Sequence, residues 1–499
     1  MKGYICIHGH FYQPLRENPW LETIEPDASA YPFHDWNERV AEECYARNAA
    51  SPILGADGRV EEIVNNYVKM SFNFGPTLLS WLKRHRFDVY RAILQADRES
   101  QKRYAGHGSA LAQAYGHAIL PLADPRDKAT QVRWGVEDFI RHFGRRPEGF
   151  WLPETAVDID ALEILAAEGL RFTVLAPHQA RAVRPLAAGD WQEVNGGGID
   201  TRRPYALRLP SGRSIAVFFY DGALSQAVAF ERLLDSGDAF RQRLLGAFAR
   251  DENVPQLVHI ATDGETYGHH HRFGDMALAY ALRRIESENG VRITNYGAFL
   301  EAYPPTHEAE ISEGTSWSCI HGIERWRSGC GCATGAHPEW TQSWRGPLRA
   351  ALDWLRTQAA ARYEERARAM LRDPWAARDA YIRVIADRSP SAWRRFLAEH
   401  AVRDLLETER LRALKLLELE RHALLMYASD GWFFDDPSGI ETIQILRHAA
   451  RVVDLANELF ALDLEPGFLT RLEAAKSNLP DHGDGRRIYE RSVRPVALT

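Results

Sequence analysis

Short apolar segments that alternate with helical stretches are the feature that most limits how this chain can fold. Seven of them occur in residues 1–302, and most end in a polar side chain. The alternation predicts a parallel sheet with helices packed on it. Because polar groups follow so many different strands, we predict an α/β barrel, whose mouth collects strand ends, over an open doubly wound sheet. The segments begin at Tyr4, Tyr67, Leu111, Gly149, Arg171, Ser214 and Gln256.

The pattern changes after residue 302, and we predict three regions. Residues 1–302 form the catalytic barrel, and residues 303–345 form a loop, rich in Cys and Trp, that covers the barrel mouth. Residues 346–499 are rich in Ala, Leu, Arg and Glu with helical periodicity and few helix breakers, so they predict an α-helical bundle. The polar segment 478–499 is expected to be a loose end or the start of a further element.

Charge and composition exclude several classes of partner. A net charge of −7 argues against a nucleic-acid ligand, because phosphate backbones require a basic surface. There is no run of about 18 apolar residues, which excludes a membrane partner. Met1, Lys2 and Gly3 lead into a strand without the apolar core of a signal peptide, so we expect a cytoplasmic protein. The oligomeric state is left open.

The densest patch of ionisable side chains follows the seventh segment. Asp263, Glu265 and His269 come directly after the apolar run 256–261, and His270 and His271 follow. Reactive groups of barrel enzymes lie just past the carboxyl ends of strands, so this patch is the predicted edge of an active site.

Other segments end in the same way. His8 and His10 are two residues apart after the first segment, so both side chains face one side. His117, Glu154 and Asp221 follow the third, fourth and sixth segments. Two carboxyl groups from different strand ends meet the minimum requirement for glycoside cleavage, in which one attacks the anomeric carbon and the other transfers protons. We assign these roles to Glu154 and Asp263.

The loop contains a second cluster with different chemistry. Cys319, His321, Cys330 and Cys332 are ligand types that zinc accepts, but their Cys-x-His and Cys-x-Cys spacings differ from common zinc knuckles. A structural metal, reduced thiols that pack a loop, and a redox pair all remain open. If the loop covers the barrel mouth, Trp317 contacts substrate.

Five motifs in order resemble glycoside hydrolase family 57, which acts on α-glucans. The first contains His8, His10 and Gln13 in a more open form than the usual His-Gln-Pro. Gly116-His117 resembles the second motif. The last three are Trp151-Leu-Pro-Glu154, Asp263-Gly-Glu265-Thr-Tyr-Gly268 and Ser429-Asp430-Gly-Trp432.

This resemblance implies a (β/α)7 barrel, an incomplete form of the TIM barrel, followed by a helical domain that completes the cleft. It also implies a retaining mechanism with Glu154 as nucleophile and Asp263 as general acid/base, an oligo- or polysaccharide partner and no cofactor. The motifs, the other polar strand ends and the loop over the barrel mouth together predict a set of substrate-binding residues: His8, His10, Gln13, His117, Trp151, Asp221, Glu265, His269, Trp317, Asp430 and Trp432. The insert Ser316–Cys332 falls outside the common family pattern and marks a less characterised subgroup.

Two alternatives remain at this point. His8, His10 and Asp263 at strand ends also fit a metal-dependent hydrolase or deacetylase, in which these three side chains would hold the metal. A catalytically silent glycan-binding protein is the other alternative, although the paired carboxyl groups argue against it.

Overall fold

The structure, a computed structural model, describes residues 3–249 and 254–497. Met1 and Lys2, with which the prediction of a missing signal peptide begins, lie outside these residues, as do the last two residues of the predicted tail. No helix in the described part of the chain is long and apolar enough to cross a membrane.

The seven strands of the barrel are β1 (Gly3–Phe11), β2 (Ser71–Phe74), β3 (Ala110–Gln113), β4 (Gly149–Trp151), β5 (Phe172–Leu175), β6 (Ser214–Phe219) and β7 (Gln256–Asp263). Within the described residues they are parallel and hydrogen-bond in the order β7-β1-β2-β3-β4-β5-β6. The Asp221 N–H, two residues after β6, donates to the His259 carbonyl on β7 over 2.8 Å, which joins the two ends of this series. The predicted (β/α)7 barrel is therefore confirmed.

Amphipathic helices connect these strands. In the helix Phe87–Arg103, Val89, Tyr90, Ile93 and Leu94 are buried at spacings of three and four, so one stripe packs inward while Lys and Arg face outward. The α-helices of this part of the chain are Trp36–Val40, Ala46–Ala49, Pro76–His85, Phe87–Arg103, Pro125–Phe143, Ile159–Ala167, Gly222–Phe230, Gly237–Gly246, Gly274–Ile285 and Tyr296–Ala302.

Shorter strands extend the barrel sheet beyond β6. Pro204–Arg208 pairs antiparallel with β6, His307–Ile311 pairs next, and Ala180–Pro185 and Gln192–Glu193 complete the edge. Val291–Ile293 pairs with β1, and Ser51–Leu54 forms a separate hairpin with Val60–Val64. These strands were not predicted, because each is short and lacks a long apolar run.

The chain divides into two compact units. The barrel unit contains residues 1–13, 26–113 and 139–313, and the helical unit contains residues 14–25, 114–138 and 314–499. The helical unit thus takes two segments from the first 302 residues in addition to the C-terminal part. A single boundary along the sequence cannot describe units that are each made of several separate segments.

The helical unit has a core of long helices with buried ion pairs. Arg378 is 1% exposed and bonds to the carboxylates of Asp127 and Glu420 at 2.6 and 2.8 Å. The α-helices after residue 344 are Arg345–Ala367, Pro374–Ala380, Ile382–Ala386, Pro390–His400, Glu407–Leu425, Ile440–Phe460, Glu465–Leu472, Gly485–Ile488 and Arg494–Ala497.

The expectation of a loose C-terminal tail is wrong for residues 478–497. Asp484 caps the helix that begins at Gly485, and Tyr489 is fully buried with its ring edge against Phe468. Its hydroxyl donates to Glu465 over 3.1 Å. Polar composition misled the prediction because a few aromatic anchors are sufficient to hold a short charged helix on a core.

Candidate active site

Glu154 occupies a strained turn directly after β4. It adopts left-handed backbone angles of φ 57° and ψ 18°, and Thr155 follows with φ 52°. Such a conformation costs about 1–3 kcal/mol for a residue other than glycine and persists only when its surroundings enforce it. Gln179 enforces it here, because it accepts from the Thr155 hydroxyl and donates to the Thr155 carbonyl, each over 2.9 Å. The turn therefore fixes the backbone of Glu154 at the strand end.

Asp263 is the last residue of β7 and is exposed. The next residue has to be glycine, since a Cβ at Gly264 would lie 2.3 Å from the ring of Phe11. Although its surface is open, the surrounding protein disfavours the charged carboxylate, and the negative charge of Glu154 disfavours it further. Together they raise the pKa of Asp263 to about 7. This group can therefore both give and take a proton near neutral pH.

Glu265 is buried two residues later and has no cationic partner among the contacts that hold it. Its carboxyl accepts hydrogen bonds from the Tyr45 hydroxyl at 2.6 Å and from the Tyr12 N–H at 3.0 Å. Desolvation outweighs these bonds, and the charge of Asp263 adds to it, so the pKa of Glu265 rises to about 8. At neutral pH this carboxyl is protonated.

The strand register brings His10 to the same place. On β1, His10 is paired with Asp263 of β7 on one side and with Asn73 of β2 on the other. Asn73 donates from Nδ2 to His10 Nδ1 over 2.8 Å, which leaves the proton of the neutral ring on Nε2. Burial lowers the pKa of His10 to about 3. His10 is thus a neutral donor beside Asp263.

His8 lies deeper in the barrel and is held at both ring nitrogens. Nδ1 is 3.0 Å from the Ser71 hydroxyl, and Nε2 is 3.1 Å from Asn73 Oδ1. Burial, with a contribution from His10, lowers its pKa to about 3. Trp151 is fully buried and stacks on both histidines, with ring centroids at 4.7 and 5.1 Å. In this arrangement Trp151 supports the histidines and offers no open face to a sugar.

Asn73, Ser71, Tyr45 and Gln113 were missed by the sequence reasoning. Asn73 joins His8, His10 and Gln113, whose Oε1 lies 2.5 Å from Asn73 Nδ2. The alternation Ser-Phe-Asn-Phe in β2 was a usable signal, because a period of two places Ser71 and Asn73 on one face of the strand. Tyr45 gave no such signal, since it reaches Glu265 from a distant helical segment.

Three other predicted residues of the barrel unit have local roles. Asp221 caps the helix Gly222–Phe230 by accepting from the Leu224 N–H over 2.9 Å. His269 lies 2.5 Å from the carboxylate of Glu43. Gln13 is buried and donates to the Tyr12 carbonyl over 3.1 Å.

The helical unit holds the remaining predicted residues. His117 has a left-handed backbone, with φ 53°, and its Nδ1 lies 2.8 Å from the Ser429 hydroxyl, so the second and fifth motifs meet. Asp430 is buried, and Trp317 is half-buried. Trp432 is 1% exposed and its indole N–H donates to the Arg345 carbonyl over 3.2 Å. A sugar ring therefore does not reach the face of Trp432 in this structure.

One group of side chains in the described residues is spaced to hold a metal ion. Its members are Cys319, His321, Cys330 and Cys332, whose ligand atoms all lie within 4.8 Å of one another. His8, His10 and Asp263 do not form such a group, and the ring nitrogens of His8 are already engaged within the protein. The donor set in the barrel therefore does not favour the metallohydrolase alternative.

Fold and site together define an enzyme built on a (β/α)7 barrel with acidic groups at two strand ends. The chain belongs to glycosyl hydrolase family 57, whose family model matches residues 10–312. A second model, a domain of unknown function (DUF3536), matches residues 340–499. The cysteine cluster lies between the two matched regions.

Solved structures with the same fold include three carbohydrate enzymes. An exo-type maltose-forming amylase from Pyrococcus sp. ST04 aligns at a TM-score of 0.70 with 14% identity, over 95% of this chain and 83% of that one. A GH57-type branching enzyme from Pyrococcus horikoshii aligns at 0.56 with 17% identity, over 99% and 96%. The α-amylase AmyC from Thermotoga maritima aligns at 0.57 with 13% identity, over 98% and 99%. No curated protein sequence matches the chain.

Proposed function

We propose that the protein is a retaining glycoside hydrolase or transglycosylase of α-linked glucans, with Glu154 as the nucleophile and Asp263 as the general acid/base. The main support is that Glu154 and Asp263 stand at the carboxyl ends of two strands of one barrel, close enough for the negative charge of Glu154 to help raise the pKa of Asp263 to about 7. An acid/base group has to be protonated for the first step and ionised for the second, so a pKa near the working pH suits both.

In the first step the Glu154 carboxylate bonds to the anomeric carbon while the bond from that carbon to the leaving oxygen breaks. Asp263 gives its proton to this oxygen, and the leaving sugar departs as an alcohol. The product is a glycosyl-enzyme ester, and Asp263 is then ionised.

In the second step the oxygen of water, or of another sugar hydroxyl, bonds to the anomeric carbon. The ester bond to Glu154 breaks, its electron pair returns to the carboxylate, and the attacking hydroxyl gives its proton to Asp263. Both carboxyl groups are restored. Water as acceptor gives hydrolysis, and a sugar hydroxyl gives transfer or branching.

The neutral polar groups around the pair have supporting roles. His10 presents a proton on Nε2, and a neutral ring can donate to a sugar hydroxyl without neutralising Glu154 or Asp263. His8 acts through Asn73, which holds His10. Protonated Glu265 fixes the Tyr12 backbone and Tyr45 beside Asp263.

The substrate class rests on the family and on its solved members. The aligned structures include amylases, a branching enzyme and a 4-α-glucanotransferase from Thermococcus litoralis, all enzymes of α-glucans by name. The fold shared with them and the polar strand ends of this barrel support an oligo- or polysaccharide of α-linked glucose as the partner.

Incubation with maltooligosaccharides and with branched glucan tests the proposal, with products separated by chromatography. Wild-type protein is expected to shorten, extend or branch these substrates, and Glu154→Ala is expected to do none of these. Asp160→Asn changes an exposed carboxylate six residues away and is expected to leave activity unchanged. Absence of product from every α-glucan would contradict the substrate class.

The stereochemistry tests the mechanism separately. NMR of the first product is expected to show the α-anomer, because two displacements retain configuration. A crystal structure with bound sugar is expected to place the two carboxyl groups about 5–5.5 Å apart. Formation of the β-anomer, with a separation of about 6.5–9.5 Å, would indicate an inverting enzyme instead.

A further inference from the structure

Four ligand-type side chains converge in the segment Ser316–Cys332 of the helical unit. Cys319 Sγ lies 3.9 Å from Cys330 Sγ and 3.7 Å from Cys332 Sγ, and Cys332 Sγ lies 3.4 Å from His321 Nδ1. All the ligand atoms lie within 4.8 Å of one another. Residues eleven and thirteen positions apart along the chain thus bring three sulfurs and one nitrogen to a common centre.

These separations match the edges of a zinc tetrahedron. With Zn–S of about 2.3 Å and Zn–N of about 2.0 Å, tetrahedral geometry places two sulfurs about 3.8 Å apart and a sulfur and a nitrogen about 3.5 Å apart. A disulfide requires about 2.05 Å, and the five cysteines are free thiols. The geometry fits shared coordination of one ion better than a covalent pair.

The turn that carries two of the ligands is preorganised. The Gly322 N–H donates to the Cys319 carbonyl over 3.0 Å, and the Ser316 hydroxyl donates to the Gly322 carbonyl over 2.6 Å. Gly322 has φ 83°, and a Cβ there would lie 2.2 Å from the Gly314 carbonyl oxygen, so only glycine fits. Cys319 and His321 therefore stand on a tight turn that backbone and hydroxyl hydrogen bonds hold in place.

A buried cation next to the cluster calls for negative charge. Arg345 is 0% exposed, and its guanidinium donates to three backbone carbonyls, those of Cys332 at 2.6 Å and of Phe433 and Phe434 at 3.2 Å. A buried guanidinium is costly without compensating negative charge, and the buried carboxylate of Asp435 supplies part of it. Three thiolates and a neutral histidine around Zn²⁺ carry a net charge of −1, which would offset this cation.

We propose that Cys319, His321, Cys330 and Cys332 form a structural zinc site that cross-links the segment between the two family-matched regions. Binding releases three thiol protons to solvent and leaves no open coordination position, as in closed structural sites. The exposed His321 and the half-buried Cys330 and Cys332 leave the ion a route of entry.

The cross-link would brace a chain of contacts within the helical unit. Trp326, in the same segment, is buried and donates from its indole N–H to the Ser429 carbonyl over 3.1 Å. Ser429 in turn holds His117, and the Arg345 carbonyl holds Trp432. Zinc would therefore stabilise the local surroundings of the second and fifth motifs, without taking part in chemistry.

Metal analysis of the purified full chain, grown with zinc, tests the proposal. We expect about one zinc per chain, and replacement by cobalt is expected to give the visible bands of tetrahedral thiolate coordination. Cys332→Ser is expected to weaken zinc binding more than about 100-fold, because even changes behind the ligands cost 10–100-fold. Cys6→Ala removes a buried cysteine in β1 and is the matched control, expected to keep the zinc.

Each outcome decides the matter. Zinc retained by both Cys330→Ser and Cys332→Ser would place it elsewhere and overturn the proposal. A chain without zinc in which Cys319 and Cys332 form a disulfide would also overturn it, in favour of a redox pair. If the variants do not fold, the cobalt spectrum of the wild-type chain and a lower Tm after chelation still test the site. None of these readouts depends on glucan activity, so they can fail independently of the proposed function.

Discussion

Two buried carboxyl groups, one in each unit, show how the neighbouring side chains determine whether a buried acid is ionised at neutral pH. Asp127 in the helical unit accepts from Arg378 at 2.6 Å and from Arg356 at 2.7 Å. Burial opposes its ionisation, but the two guanidinium groups overcome this and hold the pKa of Asp127 below its usual range. Glu265 in the barrel unit has only hydroxyl and N–H donors, and its pKa rises to about 8.

The difference separates a structural charge from a working one. Asp127 keeps its charge at every physiological pH, so it contributes to packing and geometry and exchanges no protons. Neutral His10 lies beside Asp263, and the Tyr45 hydroxyl bonds to Glu265. Both carboxyl groups can therefore gain or lose a proton near neutral pH. Asp127 and Glu265 are buried to a similar extent, so the arginine partners of Asp127, rather than its burial, account for the difference between these two carboxyl groups.

The largest expected effect comes from removing the exchangeable proton. Asp263→Asn is expected to lower kcat/KM by about 10²–10⁴-fold, because its amide neither gives nor takes a proton. In the wild type, kcat/KM is expected to fall above about pH 7, where Asp263 loses the proton that the leaving group needs. The variant is expected to lack this alkaline limb, and pH–rate profiles on a maltooligosaccharide measure both. An unchanged limb in Asp263→Asn would assign the titration to another group.

A loss of stability is expected from breaking the structural charge network. Arg378→Met leaves Asp127 and Glu420 buried without this partner, and such a break costs about 3–5 kcal/mol. Urea unfolding measures it. The matched control is Arg383→Ala, which removes an exposed pair with Glu399 and is expected to cost less than about 1 kcal/mol. If the two variants lose the same unfolding free energy, the buried ion pairs of Arg378 stabilise the protein no more than the exposed pair of Arg383 does.

The barrel could be predicted from sequence because its signal is local and repeated. β1 to β7 are apolar runs bounded by turns, and each polar strand end stands out against such a run. The strands between β5 and β6 could not be predicted. Pro204–Arg208 and Gln192–Glu193 become strands because they pair with the edge of a sheet that exists only in the folded chain.

The candidate site was predictable only in part. Glu154 follows a strand, Asp263 ends one, and His8 and His10 lie in the last half of β1, so their positions next to apolar runs made them predictable as candidates. The orientation of His10 by Asn73 depends on strand register, and the contact of Tyr45 with Glu265 spans 220 positions. The burial of Trp432 could not be predicted either, because the sequence of a turn does not show whether its aromatic side chain packs into the core or faces a ligand.

The two kinds of carboxyl should also respond to pH with opposite sign. The raised pKa of Glu265 gives stability that is present below its unfolded pKa, about 4.3, and lost as pH rises through about 8. For Asp127 the stability is present above its unfolded pKa and lost as pH falls. Glu265→Gln mimics the protonated form, so the wild type is expected to lose about 3.5 kcal/mol relative to it between about pH 5 and about pH 8. Urea unfolding of both proteins at the two pH values measures this difference, and parallel curves would show that Glu265 is ionised throughout.

The smallest effect concerns an aromatic residue that the sequence assigned to sugar stacking and the structure places in the helical core. Trp432→Phe keeps most of the ring but loses the indole N–H bond to the Arg345 carbonyl, at a cost of about 1 kcal/mol in unfolding free energy. Because Trp432 is 1% exposed, KM for maltooligosaccharides is expected to stay unchanged. A rise in KM of about tenfold without loss of stability would mean that the ring of Trp432 contacts substrate. The helical unit would then contribute to substrate binding as well as to stability, and the difference between the two units would be limited to the carboxyl groups compared above.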